Sequence, residues 1–275
     1  MLKKHSSEFS VFGNPINHTK SPYIHLLFAQ QTNIVHKYDY TLVPFNQFRK
    51  FITNFFAYKG IGANITIPFK EEAFLISDEL TDHAKASRSV NTFKKLKNGK
   101  ILGDNTDGKG ILYDLKRLKF IKKYDDVLVI GAGGAARGII FSLLSYGCNI
   151  LILNRTIDRA IKLVSDFKRF GSISILSEKE LEHSSFNVII NAAANVEINR
   201  YWSSISFSKN KTAYFYDINY SNNMHTPFLS WCISCGALMF SDGIGMLVSQ
   251  AACSFYLWHG ILPNIEPVIF QLRQN

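Results

Sequence analysis

The amino-acid sequence predicts an α/β protein made of two α/β domains. Short apolar runs that look like strands alternate with helical segments along nearly all of the 275 residues. A Gly-rich turn follows one of these apolar runs at 131–136. The composition, 47% hydrophobic and 19% charged, is ordinary for a globular protein. The alternation is typical of parallel sheets covered by helices, and the length suffices for two domains with cores of their own.

The first hundred residues predict strands and helices in turn. Strands are expected at 9–13, 37–43 and 61–67, and helices at 22–32 and 45–58. Ser21 is predicted to be the N-cap of the first helix, with Pro22 at its first position. Two short runs, 90–96 and 100–102, flank Asn98-Gly99 and predict a β-hairpin.

The second part of the chain repeats the pattern. A helix over 106–118 is expected to join the domains, and a buried strand at 126–130 leads into the Gly-rich turn. The remaining predicted elements are a helix, strand and helix through 167, strands at 173–175, 187–191 and 213–217, and helices at 227–235, 248–259 and 266–272. We expect domains at 1–108 and 109–240, with the C-terminal helices of 241–275 returning to the first domain after a second Gly-rich turn at 241–245.

Composition and charge exclude several classes of protein. The N-terminus is charged without an apolar core, and the longest uncharged apolar run, 138–153, is shorter than the about 20 residues that span a bilayer. The net charge of +10 favours anionic ligands, but no basic stripe or known motif indicates nucleic-acid binding. Cys232 and Cys235 have no paired histidines nearby, so no metal is expected. We expect a cytoplasmic protein without membrane or nucleic-acid partners; a homodimer is one open option for its oligomeric state.

The Gly-rich turn has the pattern of a dinucleotide-binding loop. The sequence V-L-V-I-G-A-G-G-A-A-R-G runs from an apolar strand through a tight turn into a helix. Gly131 permits the turn, Gly133 lets the backbone approach a pyrophosphate, and Ala136 allows the helix to pack on the strand. The predicted cofactor-binding residues here are Gly131, Ala132, Gly133, Gly134, Ala135 and Ala136.

The end of the next strand indicates which dinucleotide binds. An NAD-selective site places an acidic residue there, whereas this chain has Asn154, Arg155 and Thr156. A guanidinium matches a 2′-phosphate in charge and in the geometry of its donors. Arg159, one helical turn later, either adds a second cation or belongs to a solvated helix face. The sequence therefore predicts NADP rather than NAD.

Two polar motifs about 40 residues apart supply groups suited to proton transfer. N-I-T-I-P-F-K at 64–70 ends in Lys70, and G-D-N-T-D-G at 103–108 contains Asp107. Taken alone, Lys70 could be an exposed lysine that starts a helix, and Asp107 a carboxylate that favours a helix N-terminus. Their occurrence together with a dinucleotide loop indicates hydride transfer to or from a small polar molecule, with Lys70 as the acid.

Seven polar or Gly-rich motifs, in order along nearly the whole chain, resemble those of the shikimate dehydrogenase family. Besides the motifs above, they include the segments at 13–22, 89–92 and 242–250, and the closing W-H-G-I-L-P at 258–263 fits as well. The resemblance implies an N-terminal substrate domain and a Rossmann-type NADP domain. It also implies reversible, NADP-dependent reduction of 3-dehydroshikimate to shikimate, in the shikimate pathway of chorismate and aromatic amino-acid biosynthesis.

The resemblance also assigns roles to individual residues. Thr19, Ser21 and Tyr220 would bind the substrate carboxylate, and Asn64, Thr66, Asn91 and Gln250 its ring oxygens. Lys70 and Asp107 would form the catalytic pair. Gly243 would contact the cofactor, and Met246 would lie near its nicotinamide.

Two departures from the family pattern keep alternatives open. Thr19 replaces the usual serine but keeps the hydroxyl, so only a mild effect is expected. The segment 191–199 has no Thr/Ser-rich turn with glycine, so weaker cofactor binding or lower activity is expected from this change. One alternative is an NAD-using quinate/shikimate dehydrogenase of broader specificity. The other is a non-enzymatic NADP-binding relative, which only the altered segment at 191–199 supports.

Overall fold

The computed structural model describes residues 7–193, 205–206, 210, 212–221 and 225–274. The chain divides into two compact units. Unit 1 comprises Met1–Asp107 and Val248–Phe270, and unit 2 comprises Gly108–Leu247 and Gln271–Asn275. Within the described ranges, no helix is both long enough and apolar enough to cross a membrane.

The helices and strands of the first 107 residues are short and alternate. They are β1 (Phe9–Gly13), α1 (Ser21–Thr32), β2 (Tyr38–Leu42), α2 (Phe48–Tyr58), β3 (Gly62–Ile65), α3 (Lys70–Ile76), β4 (Glu79–Leu80), α4 (Asp82–Ser87), β5 (Thr92–Lys95) and β6 (Ile101–Asp104).

The described elements of the rest of the chain begin with a helix at Asp107. They are α5 (Asp107–Arg117), β7 (Asp126–Ile130), α6 (Gly134–Tyr146), β8 (Asn149–Leu153), α7 (Ile157–Phe167), a 3₁₀ turn (Lys168–Phe170), β9 (Ile173–Ile175), α8 (Glu178–Leu181), β10 (Val188–Asn191), β11 (Tyr214–Asp217), α9 (Pro227–Ser234), β12 (Phe240–Ser241), α10 (Ile244–His259) and α11 (Glu266–Gln274).

Unit 1 contains a mixed sheet with the strand order β2-β1-β3-β5-β6-β4. The predicted hairpin is confirmed, because β5 and β6 pair in antiparallel orientation, and β5 also runs antiparallel to β3. The parallel pairing expected from the alternation therefore holds only for the other strand pairs of this sheet. The register places Asn64, Thr92 and Asp104 side by side on three neighbouring strands. This alignment gathers short polar side chains at one place in unit 1.

The first helix begins one residue earlier than predicted. Lys20, not Ser21, is the N-cap, and it makes no hydrogen bond through its side chain. Ser21 is the first helical residue instead, and its backbone N–H donates to the Thr19 hydroxyl over 3.3 Å. Ser21 therefore lies inside the helix, where it is not the N-cap. The predicted N-cap was wrong, because this helix begins without a capping side chain.

Aromatic side chains form much of the core of unit 1. Phe12 from β1, Phe48 and Phe55 from α2, and Phe93 from β5 are almost completely buried in one cluster. The rings of Phe12 and Phe55 meet edge to face, with centroids 5.1 Å apart. Burial of each such side chain stabilises the fold by about 1.5–3 kcal/mol.

Unit 2 contains a fully parallel sheet with the strand order β12-β11-β10-β7-β8-β9. The chain order reverses at β7, which lies between β8 and β10. In open parallel sheets, such a reversal opens a crevice at the carboxyl ends of the strands. The Gly-rich turn after β7 lies at this point.

Candidate active site

The two residues predicted to carry the proton transfer contact each other. The Lys70 Nζ donates to Asp107 Oδ2 over 2.6 Å. Lys70 is the first residue of α3, and Asp107 is the first residue of α5. The Lys70 side chain is 30% exposed and that of Asp107 is 12% exposed. The ammonium is therefore accessible to a ligand, while the carboxylate that holds it is largely shielded from water.

Asn91 holds the second oxygen of the carboxylate. Its Nδ2 donates to Asp107 Oδ1 over 2.8 Å and to the Thr106 hydroxyl over 2.9 Å, and it lies 3.4 Å from Gln250 Oε1. Its Oδ1 accepts the backbone N–H of Thr106 at 2.9 Å. Asn91 is only 3% exposed. Both oxygens of Asp107 are thus engaged, one by the lysine and one by this amide.

The loop before Asp107 is braced by further buried hydrogen bonds. Asn105 Oδ1 accepts the Asp107 backbone N–H over 3.0 Å, and Asn105 Nδ2 donates to the Ser89 hydroxyl over 2.7 Å. The Asp104 carboxylate accepts the Asn105 backbone N–H over 2.8 Å. No role was predicted for Asn105, Ser89 or Asp104, although they lie in the quoted motifs. Their short polar side chains are the feature of the sequence that could have indicated a role for them.

Asn64 belongs to the same network in unit 1. Its Nδ2 donates to the Asn91 carbonyl (3.2 Å), the Thr92 hydroxyl (3.1 Å) and the Ser254 hydroxyl (3.0 Å). Its Oδ1 accepts a hydrogen bond of 2.7 Å from the Tyr38 hydroxyl. Since both ends of this amide have protein partners, its direct contact with a substrate ring stays a prediction.

The other predicted substrate ligands fall into both units. Thr19 donates to the Ser21 hydroxyl over 3.1 Å, and both are half-buried, as are Thr66 and Gln250. Tyr220 follows β11 in unit 2 and is 36% exposed. Burial, with the negative charge of Asp242, raises the pKa of Tyr220.

The Gly-rich turn between β7 and α6 has the local geometry of an anion site. Gly131 has a φ of 115°, and a Cβ on it would lie 3.1 Å from the Ala192 carbonyl carbon. A Cβ on Gly133 or Gly134 would meet no atom within 4 Å. The 13-residue α6 has Gly133 as its N-cap and no side-chain cap. Its first N–H groups are therefore open to a phosphate.

The end of β8 fixes this turn and presents two cations. Asn154 Oδ1 accepts the Ala132 backbone N–H over 3.1 Å, and Asn154 Nδ2 donates to the Thr156 carbonyl over 2.8 Å. Arg155, Thr156 and Arg159 are exposed. Asn154 thus joins the ends of two neighbouring strands, and the binding of a 2′-phosphate by Arg155 and Arg159 stays a prediction.

The second Gly-rich turn is fixed by buried groups of unit 2. A Cβ on Gly243 would overlap the Ile218 carbonyl, so this close approach requires glycine. The Met246 backbone N–H donates to the Tyr216 hydroxyl over 3.2 Å, and this hydroxyl donates to Asp114 Oδ2 over 2.7 Å. These contacts therefore hold the backbone of Gly243 and Met246, the two residues that are predicted to contact the cofactor.

The altered segment at 191–199 is described only at its beginning. Asn191 Nδ2 donates to Asp217 Oδ1 over 3.0 Å, and the Ala193 backbone N–H lies 3.4 Å from Asn191 Oδ1. Residues 194–199 lie outside the described residues, so the expected loss of cofactor affinity stays a prediction. Burial raises the pKa of Asp217, which also accepts a 2.6 Å bond from Thr226. Sequence reasoning missed Asp217, since it ends an apolar strand without a motif.

Models of known protein families match three segments of the chain. A model of the shikimate dehydrogenase substrate binding domain matches residues 11–93, and one of shikimate / quinate 5-dehydrogenase matches residues 115–225. A model of the shikimate 5′-dehydrogenase C-terminal domain matches residues 243–273. The chain belongs to the shikimate dehydrogenase family. The predicted family and the oxidoreductase class are thereby confirmed.

Individual relatives are similar to the chain over nearly its full length. The chain is 61% identical to a shikimate dehydrogenase (NADP(+)) of Buchnera aphidicola subsp. Baizongia pistaciae (strain Bp), over 100% of this chain and 99% of the relative. It is also similar to the crystal structure of an Ael1 enzyme from Pseudomonas putida (35% identity, TM-score 0.87, 97% and 98% of the two chains). A third relative is the shikimate 5-dehydrogenase from Thermus thermophilus in complex with NADP(H) and shikimate (25% identity, TM-score 0.84, 97% and 98% coverage). These similarities confirm the predicted α/β fold.

Proposed function

We propose that this dehydrogenase catalyses the reversible, NADP-dependent reduction of 3-dehydroshikimate to shikimate, a step in chorismate and aromatic amino-acid biosynthesis. The observation that carries the proposal is the 2.6 Å contact between Lys70 and Asp107, held in place by Asn91. The name of the Buchnera relative supports the same substrate and cofactor.

Lys70 acts as the acid. Bound NADPH would supply the hydride that the ketone carbon accepts. The Lys70 ammonium polarises the ketone oxygen and donates its proton to that oxygen as negative charge develops there. Asp107 accepts a hydrogen bond from the ammonium, keeps it oriented, and binds an adjacent ring hydroxyl. In the reverse direction, the neutral amine takes the hydroxyl proton of shikimate.

Short polar side chains would recognise the substrate by hydrogen bonds. Thr19, Ser21 and Tyr220 are assigned to the carboxylate, and Asn64, Thr66, Asn91 and Gln250 to the ring oxygens. An analogue that lacks one matching group leaves a buried partner unpaired, which costs about 1–3 kcal/mol. Such a site distinguishes a cyclic polyhydroxy acid from related compounds.

The residues of unit 2 would hold NADP. The backbone of Gly131–Ala136 and the N-terminus of α6 are assigned to the pyrophosphate, and Arg155 to the 2′-phosphate, with Arg159 as a second cation. Asn154 and Thr156 complete this end of the site. Gly243 and Met246 are assigned to the nicotinamide end.

The organisation of the chain is part of the proposal. Residues 1–108 would be the substrate-binding and catalytic domain, 109–240 the NADP-binding domain, and 241–275 helices that return to the first domain. The protein is expected to be cytoplasmic, and a homodimer is one option for its oligomeric state. Sedimentation velocity of the purified protein tests the oligomeric state, with a monomer at all concentrations as the contrary result.

Spectrophotometry of shikimate-dependent NADP reduction tests the function. We expect turnover with shikimate and NADP, and a lower kcat/KM when NAD replaces NADP or quinate replaces shikimate. Protein carrying Lys70→Ala, prepared in the same way, controls for contaminating dehydrogenases. Equal efficiency with NAD and quinate would favour the broader enzyme. Absence of turnover together with intact NADP binding would favour the non-enzymatic relative.

A further inference from the structure

Tyr38 is a half-buried residue of unit 1 to which neither the motifs nor the proposed mechanism assign a role. The direction of its hydrogen bond to Asn64 follows from the Asn91 carbonyl, which can only accept hydrogen bonds. Asn64 Nδ2 donates to this carbonyl over 3.2 Å, so the amide nitrogen must face it. Asn64 Oδ1 then points the other way and accepts from the Tyr38 hydroxyl over 2.7 Å. Tyr38 is thereby fixed as the donor in this bond.

Asn64 connects Tyr38 to the polar network of unit 1. Besides the Asn91 carbonyl, its Nδ2 lies within hydrogen-bond distance of the Thr92 hydroxyl (3.1 Å) and the Ser254 hydroxyl (3.0 Å). Tyr38 therefore holds the oxygen end of an amide whose nitrogen end is held by these three acceptors.

Burial keeps the phenol in its donor form. It raises the pKa of Tyr38 well above the usual value. The ring lies flat on the fully buried imidazole of His25, with centroids 4.0 Å apart and planes within 12°. The hydroxyl is therefore protonated and its ring is fixed in position.

A row of three imidazoles supports the stacked ring. His25 Nδ1 lies 3.2 Å from His36 Nε2, and His36 Nδ1 lies 3.0 Å from His259 Nε2. Burial lowers the pKa of each of the three side chains. The row is uncharged near neutral pH, so the ring of Tyr38 packs on neutral imidazoles that are joined by hydrogen bonds.

We propose that Tyr38 is a positioning residue for substrate recognition, which fixes the Asn64 amide that is assigned to the substrate ring. The inference rests on the proposed function of Asn64. An amide that is fixed at its oxygen end presents its nitrogen to ring oxygens in one orientation. It therefore favours cyclic hydroxy acids whose ring oxygens match that orientation.

Tyr38→Phe tests the proposal, because it removes one hydroxyl and leaves the stacked ring. We expect the KM for shikimate to rise roughly tenfold, as for the loss of one buried hydrogen bond, while the KM for NADP stays unchanged. The preference for shikimate over quinate should narrow. Tyr40→Phe is the matched control, because Tyr40 lies two residues along β2 and is largely exposed. Urea unfolding of each variant shows whether packing is preserved.

A double-mutant cycle separates positioning from a general loss of stability. In an Asn64→Ala background, the Tyr38 hydroxyl has lost its acceptor, so Tyr38→Phe should change the shikimate KM by less than about threefold. Full additivity, or an equal rise in both KM values, would overturn the proposal. So would an unchanged shikimate KM in Tyr38→Phe. If wild-type protein fails to oxidise shikimate, it is the proposed function that fails.

Discussion

The hydrogen-bond network around Asp107 in unit 1 and the Gly-rich turn of unit 2 hold their polar groups in different ways. In unit 1, Asn91 and Asp107 are buried and connected by hydrogen bonds to further buried groups. In unit 2, Gly133, Arg155 and Arg159 are exposed to solvent. Removal of a buried group leaves its partner without a hydrogen bond, whereas water can replace an exposed group. Substitutions should therefore be costly in unit 1 and milder in unit 2.

The largest effect is expected at Lys70, because this residue is proposed to transfer the proton. Lys70→Ala removes the acid and should lower kcat by ~10²–10⁴, the usual contribution of a positioned acid. The KM for shikimate should change less, since the recognition groups remain. Steady-state kinetics of shikimate oxidation measure both, with the exposed Lys97→Ala as control. A wild-type kcat would remove Lys70 from the mechanism.

A smaller but still substantial effect is expected from Asn91→Ala. The substitution leaves one Asp107 oxygen and the Thr106 backbone N–H without their partner. We expect a loss of about 1–3 kcal/mol in the free energy of unfolding and a fall in kcat/KM for shikimate of roughly ten- to a hundredfold. Urea unfolding and shikimate kinetics measure the two quantities. Asn54→Ala, on the exposed side of α2, is the control and should change neither.

In unit 2, Arg155→Ala should act only on the cofactor. The KM for NADP should rise roughly tenfold, as for the loss of a charge-assisted hydrogen bond, while the KM for NAD stays the same. The effect should weaken at high salt, because exposed charges are screened. Lys162→Ala is the control, because Lys162 is an exposed lysine on α7, the helix that follows Arg155. Unchanged NADP affinity in Arg155→Ala would contradict the assignment of the 2′-phosphate site.

The smallest effect concerns pH, and it sharpens the contrast between buried and exposed groups. Burial and the neighbouring His259 lower the pKa of His36 to about 3, against about 6.5 in the unfolded chain. Below pH 6.5 the unfolded chain therefore binds a proton that the folded chain does not. The free energy of unfolding therefore has its full value above pH 6.5 and decreases as the pH falls toward 3. His25 and His259, with pKa values also lowered, act in the same direction.

Urea unfolding at pH 5 and pH 7.5 measures this dependence. His36→Gln should have a smaller difference between the two pH values than wild type. His18→Gln, at an exposed position, should retain the wild-type difference. An identical pH dependence in wild type and His36→Gln would show that this histidine does not contribute to it.

The elements that the sequence predicted well are those with a continuous pattern. The strands β7 and β8 are apolar throughout, and α6 between them follows a glycine turn, so their type was evident. The strands β4 and β12 were missed because each has two residues, too few for any periodicity. The one-residue error at the start of α1 arose because the N-cap, Lys20, makes no capping hydrogen bond through its side chain, so no capping residue marks the start of this helix in the sequence.

The same distinction applies to the site. Lys70, Asp107 and Asn91 lie in dense polar motifs, and the structure brings them together as the sequence led us to expect. Tyr38 and His25 lie alone in a strand and a helix, where an aromatic side chain usually indicates core packing. Their connection to Asn64 depends on the strand order β2-β1-β3, which no local pattern specifies. Long-range pairing is therefore what sequence reasoning could not supply.

Binding of NADP in the absence of shikimate tests most directly whether the two regions have separate tasks. Fluorescence titration would compare wild type with Asn91→Ala and Arg155→Ala. We predict that Asn91→Ala binds NADP within about twofold of wild type, and that Arg155→Ala binds it roughly tenfold more weakly. Equal weakening by both substitutions, or weakening by Asn91→Ala alone, would contradict the separation of substrate and cofactor recognition.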